Sequence, residues 1–157
     1  MTQIAGDKDS GTSSTVDDDP ILSSHWKRLV TFPIIYDELW VLYKQLESSI
    51  WTAEEINFKG DDQDWLNLTK NEKTLVGNVL SFFAAADGLV LENIAENLLQ
   101  KVQVPEARAF YSLQIWNETV HAETYSLIID AVVKYSAEKE KMLTTINTNE
   151  AVKLKAS

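Results

Sequence analysis

A chain of 157 residues, 45% apolar and 24% charged, holds material for one domain with a sizeable core. Its formal net charge of −10 argues against nucleic acid or an anionic membrane as a partner, and the lack of cysteine excludes disulfides and thiolate metal sites. No uninterrupted apolar stretch approaches the ~20 residues that span a bilayer, and MTQIAGDKDSGTSS lacks the basic start and apolar core of a secretory signal; the cytoplasm is the default expectation.

Only 5 Gly and 3 Pro occur, and the mid-chain apolar runs are long, which favours helices. Residues 1–24 are rich in Ser, Thr, Gly and Asp and are expected to be a disordered acidic tail. The folded unit is expected over 25–157. From His25 onward an extended lead-in precedes a helix, with Pro33 fitting the first turn and Leu39, Leu42, Leu46 and Ile50 recurring at helical spacing. The polar run KGDDQD, 59–64, reads as a loop.

Thr69 followed by Glu72 forms a capping box, in which each side chain returns to the other's backbone. The helix it opens runs without proline to about Val102. Leu75, Val79, Phe82, Phe83, Leu89, Val90 and Ile94 place apolar surface on several of its faces, the pattern of a buried helix. Gly88 inside it suggests a bend or close packing. Pro105 opens a third long helix to about Lys134, again apolar on several faces, and a short helix is expected over Ala137–Ile146. The fold class is all-α.

Within these helices a few ionisable groups are out of place. Asp87 lies on the stripe of Leu80, Phe83, Ala84, Val90, Leu91 and Ile94, where a carboxylate must be paired, hydrogen-bonded or metal-bound. Glu118 and His121 lie about 60° apart around the next helix, and Tyr125 returns to within ~20° of Glu118 in projection. Glu-x-x-His on a helix is the unit of carboxylate-bridged di-iron and di-manganese sites, offering a bridging carboxylate and a terminal imidazole on one face. The four-residue pattern also describes an ordinary polar pair, and Tyr125 alone an ordinary core aromatic. A complete site takes a carboxylate from each of two helices and a Glu-x-x-His from each of two others. Asp87, Glu118 and His121 supply half of it; His25 lies near the tail, and no second Glu-x-x-His occurs.

WTAEEI (51–56), VLSFFAAADGLVLENI (79–94), VQVPEARAFYSLQIW (102–116) and ETVHAETYSLIID (118–130) closely resemble the small subunit of class I ribonucleotide reductase, of the eukaryotic and viral type. The resemblance runs from about His25 to beyond Asp130. It implies a ferritin-like helical bundle, here its N-terminal half, holding a non-haem di-iron centre, with manganese as the other metal to consider. In that family oxygen and the ferrous pair oxidise a nearby tyrosine to a stable radical, whose equivalent passes to the large subunit to reduce ribonucleotides. Carried over residue by residue, Asp87, Glu118 and His121 match metal ligands, Tyr125 the radical tyrosine and Trp51 the tryptophan of the electron-transfer route. The expected partners are the large subunit and a second small-subunit chain, as homodimer or as complement.

Family chains continue with a further carboxylate, the second Glu-x-x-His and a C-terminal docking tail, none of which lies in residues 1–157. The chain alone is therefore expected to bind iron poorly, to be inactive, and to need a second polypeptide or a further segment. A non-catalytic truncated relative that pairs with full-length subunits is the alternative. Another ferritin-like oxidase or iron store would leave Tyr125 and Trp51 without a role.

Overall fold

The computed structural model describes residues 19–144, and among them every regular element is helical. In chain order these are α1 (Asp37–Ser48), α2 (Asp61–Asn67), α3 (Lys70–Asn93), α4 (Leu99–Lys101), α5 (Pro105–Val132) and α6 (Ser136–Leu143). A π-helical turn, Ile94–Leu98, joins α3 to α4, so the chain is continuously helical from Lys70 to Lys101. Short 3₁₀ turns lie at Ser24–Trp26 and Ala53–Glu55.

The 28-residue α5 is the axis of the molecule, with α3 as its main neighbour and α1, α2 and α6 packed around it. Pro105 at its start fixes φ where no intrahelical donor is needed. Two apolar clusters sit toward its ends. Val102, Val104 and Ala107 form one, against Ile21, Leu22, Trp26, Tyr36, Leu39 and Tyr111. Trp65, Leu80, Ile129, Val132, Val133 and Met142 form the other. The polar residues singled out from the sequence fall between them.

The capping box of α3 is present: Glu72 N donates to Thr69 Oγ1 at 3.4 Å, and Thr69 N donates to Glu72 Oε2 at 2.7 Å. α5 and α6 fall where expected, ending at Val132 and Leu143 rather than Lys134 and Ile146, the last of which lies outside the described residues.

Other expectations are corrected. Pro33 does not start α1; it follows Phe32 through a cis peptide bond in an extended segment, and the helix opens at Asp37. Glu106 ties this non-helical segment to α5, since its Oε1 accepts from Ile35 N at 2.7 Å and from Arg28 Nη2 at 2.5 Å. The working seam of α1 is Tyr36, Leu39, Tyr43 and Leu46, while Leu42 and Ile50 are exposed. KGDDQD is not a loop throughout. Gly60, at φ 100°, turns the chain into α2, whose first turn carries Asp61, Asp62 and Asp64, charges that complement a helix N-terminus.

Nor is α3 buried all round. Gly77, Leu80 and Ser81 are its buried residues, whereas Leu75, Val79, Phe83 and Val90 are exposed. Gly88 faces open space; the irregularity comes later, at the π-helical turn. By length and composition the helix Lys70–Lys101 is apolar enough to cross a membrane, though Asp87 and Glu92 interrupt it and α5 packs along it. Of the expected 1–24 tail, residues 1–18 lie outside the described residues. Its last part is packed: Ile21 and Leu22 join the cluster around Val104, and Gln103 N donates to Ile21 O at 2.8 Å.

Candidate metal centre

The pairing of α3 with α5 assembles the centre. Leu80 and Ala84 pack among Ile129, Val132 and their neighbours, and Asp87 continues the same stripe one turn further. The contact that buries the apolar part of α3 thus turns Asp87 toward α5. On α5, Ile129 and Val132 are buried on the face packed there, and Glu118 and His121 lie N-terminal to them near the middle of the helix.

One ligand atom from each of Asp87, Glu118 and His121 lies within 4.8 Å of the others. Glu118 is 8% exposed. Its Oε1 accepts from Gln114 Nε2 at 2.5 Å, and its Oε2 lies 3.4 Å from His121 Nδ1. Asp87 Oδ2 is buried without a hydrogen-bond partner. Burial raises the Asp87 carboxyl above its ordinary range, the Glu118 charge raises it further, and His121 opposes both.

Two carboxylates crowding one buried space, with one oxygen unsatisfied, are what a cation would relieve. The donors, carboxylate oxygen and imidazole nitrogen, suit iron or manganese. The residues present therefore fit a metal, to which they would offer three protein ligands.

Trp51 and Tyr125 border this cluster. Trp51 precedes the 3₁₀ turn Ala53–Glu55, which is anchored by buried Ala53 and closed by Thr52 N donating to Glu55 Oε1 at 3.0 Å. Its indole lies 5.8 Å from the His121 ring, centroid to centroid, tilted by 35°. Tyr125 lies one turn beyond His121, its ring 5.4 Å from that of Phe83 and nearly parallel at 12°. Burial, and then the Asp87 charge, push the Tyr125 phenol upward from its ordinary range.

All five residues singled out from the sequence thus converge. His25 does not join them; it packs edge-on to Trp26. Sequence reasoning passed over Gln114, although its position four residues before Glu118 on a helix was the available signal. It also took Phe83 only as apolar surface.

A family model described as ribonucleotide reductase, small chain, matches residues 28–157. Subunit M2 of the ribonucleoside-diphosphate reductase of Mesocricetus auratus is 46% identical over 145 residues, which is 92% of this chain and 38% of that protein. A small subunit of the ribonucleoside-diphosphate reductase of Arabidopsis thaliana is 45% identical over 139 residues, covering 88% of this chain and 41% of its own length. Among solved structures, the ribonucleotide reductase Rnr4 homodimer of Saccharomyces cerevisiae superposes with a TM-score of 0.76 at 38% identity, covering 89% of this chain and 44% of that one. Dimanganese(II)-NrdF of Streptococcus sanguinis gives 0.74 at 26% identity, covering 83% and 46%. The chain spans about two fifths of the length of the curated relatives it matches.

Proposed function

Because this chain belongs to the ribonucleotide reductase small-chain family, we propose that it contributes half of a di-iron site and the radical-bearing tyrosine to a ribonucleoside-diphosphate reductase small subunit. The observation that carries this reading is the convergence of Asp87, Glu118 and His121 ligand atoms within 4.8 Å.

Asp87, Glu118 and His121 would hold the metal, and Gln114 fixes the orientation of Glu118 through its hydrogen bond. An iron pair, when bound, supplies the oxygen-dependent oxidising power of the site. Tyr125 is the residue oxidised. Burial and the Asp87 charge favour its protonated form, so its one-electron oxidation by oxygen at the metal site would also release the phenolic proton, to water. Trp51, beside the His121 ring, is placed to pass an electron between the centre and the surface. A complete site takes a further carboxylate and a second Glu-x-x-His, which a further segment or a second polypeptide would bring. Manganese is the second metal these donors suit.

The test is anaerobic loading of the chain with ferrous iron, with and without the C-terminal part of a small subunit, followed by oxygen. A tyrosyl radical seen by electron paramagnetic resonance with the added part, and lost in Tyr125→Phe, is the expected result. Failure of Asp87→Ala and His121→Ala to lower metal uptake would overturn the assignment.

A further inference from the structure

We propose that Phe83 is a positioning residue that holds the plane of the Tyr125 ring, an inference that rests on the reading of Tyr125 as the radical-bearing side chain. Phe83 precedes Asp87 by one turn of α3, and Tyr125 follows His121 by one turn of α5. The two helices therefore meet in two successive rungs, Asp87 against Glu118 and His121, then Phe83 against Tyr125. The rings lie 5.4 Å apart with 12° between their planes, within the offset-stacked range.

Other aromatic pairs in the molecule meet at steeper angles. Trp26–Tyr36, Phe32–Trp40, Phe82–Phe83 and Phe110–Tyr111 meet at 70–77°, and Trp40–Tyr43 and Trp51–His121 at 34–35°. Phe83 is 40% exposed, so its apolar burial is incomplete and the stack is what sets its relation to Tyr125. A leucine would fill that space as well. A flat ring stacked nearly parallel also opposes rotation of the phenol beside it. Phe83 carries no O–H, N–H or S–H, so it neither bonds the phenol oxygen nor donates a hydrogen atom to an oxidised ring. It fixes the angle between the Tyr125 Cβ hydrogens and the ring normal, the angle on which the spin density felt by those hydrogens depends.

Two measurements on the small subunit carrying this chain test the proposal. In the metal-free protein, ring-flip rates of ¹³C-labelled Tyr125 are compared among wild type, Phe83→Leu and Phe83→Trp, with matched thermal melts to show that each is folded. Phe83→Leu is expected to raise the flip rate at least tenfold and Phe83→Trp to restore it. Equal rates in all three, or free flipping in the wild type, overturn the proposal. After loading, the β-methylene hyperfine splitting of the radical is expected to change in Phe83→Leu and to return in Phe83→Trp; an unchanged splitting overturns it. A wild type that forms no radical would defeat the functional reading, while the metal-free measurement would still decide the role of Phe83.

Discussion

Glu106 is fully buried, and a charge in that position persists only because its surroundings answer it. Burial pushes its carboxyl upward, but the Ile35 and Glu106 backbone amides and the Arg28 guanidinium outweigh this and hold it below the ordinary range. A carboxyl depressed on folding stabilises above its unfolded value and loses that contribution as pH falls through the lower, folded value. Glu106→Gln is therefore expected to lower stability by about 2 kcal/mol at neutral pH. The gap to wild type should narrow as denaturant titrations are carried below about pH 4. Gln114 acts on the site rather than the fold. Gln114→Leu removes the donor to Glu118 Oε1 and should weaken ferrous or manganous binding about 10-fold or more, read by metal titration of the completed subunit.

Elements differ in how far their ends are locally written. α3 begins where Thr69 and Glu72 say it must, because both halves of the capping box lie within one turn. Thr69→Ala should cost about 1 kcal/mol in thermal or denaturant melts. Glu118, His121 and Tyr125 were legible for the same reason, since their spacing along one helix is local information. The start of α1 was not, because the amide of Ile35 is captured by Glu106, 71 residues away. α2 was hidden by composition: an acidic run reads as solvated chain, yet here it supplies the first turn of a helix entered through Gly60. The Phe83–Tyr125 stack was illegible as well, for periodicity assigns a side chain to a face without saying what stands opposite.

At the scale of the molecule, α5 organises everything, with an apolar cluster toward each end and the ionisable cluster between them. A flank of α3 bordering its contact with α5 is left uncovered. Leu75, Val79, Phe83 and Val90 are 66%, 44%, 40% and 44% exposed and fall within about 80° of the helix circumference. Such a continuous apolar stripe marks a surface made to be covered. The chain alone is expected to bind an environment-sensitive apolar dye, and Leu75→Ser with Val79→Ser to reduce the fluorescence at least twofold. Adding the C-terminal part of a small subunit should suppress the signal in the wild type.

The π-helical turn at Ile94–Leu98 has a consequence for chain length. Leu99 N donates to Ile94 O, five residues back, so the turn houses one residue more than an unbroken α-helix would take. Asp87 before it and Val102 after it are each committed, one to the ionisable cluster and one to the apolar cluster at the start of α5. The turn behaves as slack between two fixed points. Deleting one residue within 94–98 should let the segment close into regular α-helix while both ends keep their facing, leaving metal uptake by the completed subunit within about twofold of wild type. The same deletion between Phe83 and Asp87 has no slack to absorb it and would rotate the carboxylate by about 100° relative to the ring one turn before it, abolishing that uptake.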